Sequence, residues 1–269
     1  MQTRSPYHEN KTLSRLLSKY KVHPSVHAVG IGGSVAAGTS DHSSDIDIYV
    51  FTRKDLSLEE RCGIAAEFSS RFEVGGDYFG PDDELWYDEL GRECDVVYFD
   101  VSWFENSVRS VWLEGRADNG YTTAFLYTLA HLAVEHDPSL WLADLKTLID
   151  TPYPEKLRAS IIRRNLMLMK DKPFSSYSQQ LRKAIARGDF VSVNHRLAAY
   201  LASYFDALFA VNRLLHPGEK RLVDFALKNC GVLPDGFEED FKRLASAEHE
   251  QLPEIIDGMT EKLRVLCRF

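Results

Sequence analysis

Two short stretches between residues 26 and 51 carry residue types and spacing that could do chemistry together. The first is an apolar run, Val26-His27-Ala28-Val29-Gly30-Ile31, that breaks at Gly32-Gly33-Ser34. After ten intervening residues Ser34 is followed by Asp45-Ile46-Asp47, at the head of a second apolar run ending near Phe51. If that second run is a strand, its period of two puts both carboxylates on one face and turns Ile46 and Ile48 into a core. Carboxylates that close repel unless cations sit between them, so the pair asks for hard divalent ions. Glycine at 33 lets backbone approach a ligand closely, and amides at the start of a following helix can hold phosphate oxygens. A phosphate cradle beside a dicarboxylate clamp is the equipment for in-line nucleotidyl transfer with two metal ions.

Other motifs fail on particular residues. A dinucleotide fingerprint begun at Gly30 and Gly32 would need Gly or Ala at 35, where Val stands. No Gly-Lys-Ser/Thr follows, and a nucleophile elbow around Ser34 would need Gly at 36, where Ala stands. His23 and His27 are four apart, but Pro24 breaks the helix that would align them on a zinc ion. The spacing from Arg187 to His195 is too long for the Arg-His signature of toxin-type RNases.

The elements that must position these groups are legible by periodicity. Residues 9–20 read as an amphipathic helix with Leu13, Leu16, Leu17 and Tyr20 on one face. Strands are expected at 26–31, 46–51 and 94–101. A helix is expected from Leu56 to Phe72, boxed by Ser57 and Glu60, and another from Ser102, boxed by Glu105, to about Glu114. Residues 75–93 read as a polar, acidic and aromatic insertion. After residue 120 the strand signals stop, and 121–134, 139–149, 155–170, 174–187, 189–215, 218–229 and 252–266 all read as helix. The longest carries Phe190, Val193, Leu197, Leu201, Tyr204, Leu208, Val211 and Leu215 at alternating spacings of three and four, a bundle stripe. The fold class expected is α/β (α+β): a small mixed sheet with flanking helices in residues 1–120, then an all-α bundle in residues 121–269.

Charge narrows the partners. The net charge is -8, and residues 1–120 hold 12 Lys+Arg against 21 Asp+Glu. With no basic stripe, the first half is a poor surface for a long nucleic acid. A cationic small molecule, or an anionic one bridged by metal ions, suits it better. The chain shows no apolar run near the ~20 residues of a membrane span, no signal-peptide pattern at its start, and four dispersed cysteines without a CxxC pair. A cytoplasmic location is the expectation.

The Gly-Ser, ten-residue spacer and Asp-x-Asp array, placed strand–loop–strand, resembles the polymerase-beta-like nucleotidyltransferase superfamily. A helical tail behind so small a domain looks like its antibiotic-modifying and uncharacterised bacterial branches. The resemblance implies that Asp45 and Asp47 hold two Mg²⁺ ions and that a third acid on a later strand completes the metal site. Asp95 is the better candidate for it and Asp100, on the opposite face of that strand, the alternative. It further implies that Ser34, with the Gly32–Gly33 backbone, contacts the triphosphate of ATP or another nucleoside triphosphate. Lys220, with Arg221, could reach the same oxygens across a cleft between the two domains. The acceptor's proton could go to Asp95 or to an acid elsewhere, with Glu93, Glu135 and Asp206 open. The acidic aromatic stretch (Asp77, Asp82, Asp83, Glu84, Trp86, Tyr87) could contact a cationic acceptor, and Asn212 is either a buried polar contact or a ligand donor. The expected activity is transfer of a nucleoside monophosphate to a hydroxyl of a small acceptor, releasing pyrophosphate. Transfer to a protein or tRNA end, as in toxin–antitoxin systems, and nucleotide binding without turnover are the alternatives.

Overall fold

The computed structural model describes residues 11–33, 45–76 and 81–267. It divides the chain into two compact units, Met1–Val108 with Thr128–Thr151 and Arg109–Tyr127 with Pro152–Phe269. The division differs from the boundary expected near residue 120, because residues 128–151 return to the first unit.

The first unit is built on a six-stranded mixed sheet with order β3-β4-β5-β2-β1-β6. Its strands are β1 (Val26–Ile31), β2 (Ile46–Thr52), β3 (Phe72–Gly76), β4 (Asp82–Tyr87), β5 (Arg92–Asp100) and β6 (Ala133–His136). Only β2 and β5 run parallel; the other neighbours are antiparallel. Helices α1 (Lys11–Lys21) and α2 (Leu58–Phe68) cover one face. Leu13, Leu16, Leu17 and Tyr20 of α1 and Ile64 and Phe68 of α2 share a core with Ile46, Ile48 and Val50 of β2 and Cys94, Val96 and Tyr98 of β5. Because strand side chains alternate, burying the even-numbered residues of β2 and β5 forces the odd-numbered ones onto the other face. That is the face of the acids. The Ser57–Glu60 capping box opens α2 as expected.

Four sequence expectations are corrected here. Helix α2 stops at Phe68, and residues 72–87 of the supposed insertion form the hairpin β3–β4. Its anchor is Asp83, buried and ion-paired with Arg61 of α2. Asp83 also accepts hydrogen bonds from Arg61 Nε at 3.0 Å, Tyr98 Oη at 2.7 Å and the Gly75 amide at 3.0 Å. The helix after β5, α3 (Val101–Trp112), starts one residue earlier than expected, since Asp100, not Ser102, accepts the Trp103 amide at 2.7 Å. The helix expected over 121–134 is shorter, α4 (Ala124–His131), and is followed directly by β6, which pairs with β1. Helix α5 (Trp141–Ile149) closes the unit.

The second unit is helical: α6 (Glu155–Leu166) runs into a π-turn (Met167–Asp171), followed by α7 (Tyr177–Ala186), α8 (Phe190–Val211), α9 (Leu222–Asn229), α10 (Phe237–Ala245) and α11 (Leu252–Leu266). Helix α10 had no expected counterpart. The bundle stripe holds only in part: Phe190 is exposed, while residues 202–211 of α8 are buried all round. Small residues there (Ala202, Ser203, Ala207, Ala210) let neighbouring helices close in, which makes this half of α8 the centre of the bundle. No helix among the described residues is long and apolar enough to cross a membrane.

Candidate active site

Register decides which carboxylates meet. In the parallel pair β2–β5, Ile46 lies opposite Cys94, Asp47 opposite Asp95 and Ile48 opposite Val96. Asp45 is exposed one dipeptide before Asp47, and Asp47 and Asp95 are half-buried. On the far side of β5, Glu84 of β4 lies opposite Asp95. Neighbouring strands in register are separated by about 4.8 Å, so Glu84, Asp95 and Asp47 form a row across three strands. Glu84 alternates with buried Asp83 and Leu85 and is exposed, which puts it on the acid face. Its place in this row could not be read before β4 was known to be a strand.

The electrostatic result is a raised pKa. Partial burial, then the charges of Asp47, Asp45, Glu93 and Glu84, push the Asp95 carboxyl up to about 7. Asp100 is excluded from this group by the same register. It lies opposite Thr52 at the other end of the strand and caps α3.

The end of β1 is clamped against Asp47. The Gly32 amide donates to the Asp47 carbonyl at 2.9 Å, so that N–H is committed to the sheet edge and is not a phosphate donor. A Cβ at Gly32 would run into the Tyr49 ring. At Gly33, where φ is +67°, a Cβ would run into the Asp47 carboxylate. Only glycine fits there, on both conformation and space. Ser34 lies outside the described residues, as does Asp77.

The remaining sequence candidates separate. Among the acids considered as base, Glu93 is on β5, exposed and two residues from Asp95. Glu135 sits on β6 and pairs with Lys21 at 3.0 Å. Asp206 is buried inside the second unit, accepting hydrogen bonds from the Thr122 amide (3.0 Å) and hydroxyl (2.7 Å) and from Asn165 (2.9 Å). Burial, partly offset by those donors, raises its pKa to about 6. Lys220 is exposed in the turn that precedes α9, in the second unit, beside Arg221. Asn212 caps α8 and ties it to Val232, donating to its carbonyl at 3.0 Å and accepting its amide at 2.9 Å, a structural role. His23 and His27 have separate partners, Glu60 and Ser139. In the acidic stretch, Asp83 and Tyr87 are buried, which removes them from any contact with an acceptor.

Residues 11–78, from α1 through β3, match the family model for the polymerase beta nucleotidyltransferase domain. This segment, about a quarter of the chain, resembles the polymerase-beta-like nucleotidyltransferase superfamily. The match contains Asp45 and Asp47; Asp95 follows it and joins them through the parallel strand pairing. A crystal structure of a nucleotidyltransferase-like protein from Exiguobacterium sibiricum 255-15 aligns with 95% of this chain and 73% of its own, at 12% identity and a TM-score of 0.45. No curated protein matches the sequence.

The donors on the acid face fit a hard divalent cation. They are carboxylates only, and their mutual repulsion is visible in the raised Asp95. Among the described residues no three His, Cys, Asp or Glu side chains are already gathered around one point. Magnesium does not require that, since it keeps several waters and binds through one or two carboxylates plus substrate phosphates.

Proposed function

We propose that the nucleotidyltransferase domain transfers a nucleoside monophosphate from a nucleoside triphosphate, ATP by preference, to a hydroxyl of a small acceptor, with release of pyrophosphate. The observation that carries the reading is Asp47 opposite Asp95, with the Asp47 carboxylate against a glycine turn that no side chain could enter. Asp45, Asp47 and Asp95 would hold Mg²⁺, which when bound supplies charge stabilisation on the transferring phosphoryl group. The backbone around Gly33, with Ser34, would contact the triphosphate. Asp95, on the acid face, is the candidate to receive the proton of the acceptor hydroxyl. The new bond joins the acceptor oxygen to the α-phosphorus, and the bond to the β-phosphate oxygen breaks. The acidity of the first half favours a cationic acceptor over nucleic acid, and the cytoplasm supplies the nucleotide.

The test is α-labelled ATP with Mg²⁺ and a panel of amino sugars, polyamine alcohols, total tRNA and the chain itself. Label on a small acceptor, lost in Asp47→Asn with the fold retained by circular dichroism, supports the reading. Label on RNA or protein transfers the activity to a macromolecular acceptor. Unchanged transfer by Asp47→Asn ends the acid-clamp mechanism.

A further inference from the structure

The acid face of β2 and β5 does not end at the carboxylates. Continuing by twos, β2 presents Asp45, Asp47, Tyr49 and Phe51, and β5 presents Asp95, Val97 and Phe99. Beyond Phe99 the chain turns into α3 and brings up Trp103. Three of these rings lie in nearly parallel planes. Tyr49 and Phe99 have centroids 6.1 Å apart and planes 5° apart; Phe99 and Trp103 have centroids 5.7 Å apart and planes 3° apart. Phe51 and Phe104 support Phe99 from the side at 5.9 and 5.3 Å. The row starts one dipeptide, roughly 6.6 Å, past the Asp47 Cα. It ends on an indole that is 57% exposed.

A single exposed aromatic needs no explanation. This one is the open end of an ordered row whose other end borders the acid group, and no ionisable side chain except the Tyr49 phenol interrupts the row. One end of the face therefore suits phosphate with its cation, and the other suits an uncharged planar ring. A nucleoside triphosphate has both features in one molecule.

We propose that Tyr49, Phe99 and Trp103 form the stacking floor for the base of the donor nucleotide, with Trp103 as the ring that the base covers. This rests on the nucleotidyl-transfer reading and adds the place and the chemistry of base recognition. Stacking reads a π-face and not a hydrogen-bond pattern, so all four common nucleotides are accepted and the larger purines bind more tightly.

The test compares ATP with inorganic tripolyphosphate, which lacks the base, each with Mg²⁺, by calorimetry on the full chain. Trp103→Ala is expected to weaken ATP roughly tenfold, within the range of one lost base–aromatic stack, and to leave tripolyphosphate unchanged. Trp103→Phe should recover most of the ATP affinity. Asp47→Asn should weaken both ligands. If ATP binds Trp103→Ala as tightly as the parent, the floor is refuted while the transfer reading stands. If neither ATP nor tripolyphosphate binds the parent chain, the transfer reading itself fails. If Trp103→Ala changes only the sedimentation coefficient, the indole packs against a second copy of the chain and the proposal is overturned.

Discussion

Asp47 and Asp95 stand opposite one another on the two parallel strands of the sheet, with Glu84 opposite Asp95 on the next strand out. Carboxylates in neighbouring register positions disfavour each other's charge, and here the site is kept at the expense of stability.

The Asp95 carboxyl is raised to about 7 in the folded chain against about 3.9 unfolded. Between those values the unfolded state has released its proton and the folded state has not. Stability therefore falls as pH rises from about 4 to about 7 and stays reduced above. Asp95→Asn should stabilise the metal-free protein at pH 8 by on the order of 1–2 kcal/mol, after allowance for partial exposure. That is a few degrees in Tm. Mg²⁺ should raise the Tm of the parent and not of the variant. Thermal unfolding at pH 5 and 8, with and without Mg²⁺, measures both; equal Tm values for the two proteins at pH 8 would refute the strain.

Gly33 and Gly91 make a matched pair. Both have positive φ, +67° and +61°, but a Cβ at Gly91 meets nothing within 4 Å. Alanine at 91 should cost only the left-handed backbone penalty, roughly 1–2 kcal/mol, and leave nucleotide binding intact. Gly33→Ala adds displacement of the Asp47 carboxylate, so Mg²⁺-ATP affinity should drop by at least an order of magnitude. Isothermal titration on both variants reads the difference.

The Arg61–Asp83 pair holds the β3–β4 hairpin to α2, and the Arg61 guanidinium lies 4.3 Å from the centre of the Tyr98 ring. Removing either partner leaves a buried charge, so Arg61→Met and Asp83→Asn should each lower stability by about 3–5 kcal/mol. The double variant should lose clearly less than the sum. Additive losses in urea unfolding would mean that the pair is not coupled.

In the second unit, Asp206 (about 6) and His216 (about 4) are both shifted by burial. The carboxyl is raised, so its contribution to stability falls between about pH 4 and 6. The imidazole is lowered, so its contribution is complete above about pH 6.5 and is lost as pH falls toward 4. Thr122→Val removes the hydroxyl that donates to Asp206 at 2.7 Å. It should cost about 1–3 kcal/mol at pH 7 and less at pH 4, where the carboxyl is protonated. His216→Phe keeps the ring packing against Tyr121 and Phe209 and should remove the acid-side loss. Denaturant midpoints from pH 4 to 7 separate the two slopes.

What the sequence disclosed follows from the range of the forces involved. Asp45 and Asp47 are legible because strand period and spacing from Gly33 are local, and Asp95 stands out because it leads an apolar run. The choice against Asp100 required register, a property of two strands. Hairpin β3–β4 was hidden because Glu73, Asp82, Asp83 and Glu84 are poor strand formers, and its stabilising ion pair joins residues 22 apart in the chain. Strand β6 has four residues, too few for a periodic signal. Helix α10 did carry a signal, with acids Glu238, Glu239 and Asp240 in its first turn and Lys242 and Arg243 in its last, the charge order that a helix dipole favours.

The return of residues 128–151 to the first unit governs where the gene can be cut. A fragment ending at residue 120 would omit β6 and leave Val29, Gly30 and Ile31 as an unshielded border. A bare apolar border of that kind recruits strands from other molecules. Excising the first unit as a separate piece therefore means carrying the chain through Thr151 and accepting residues 109–127 of the second unit with it.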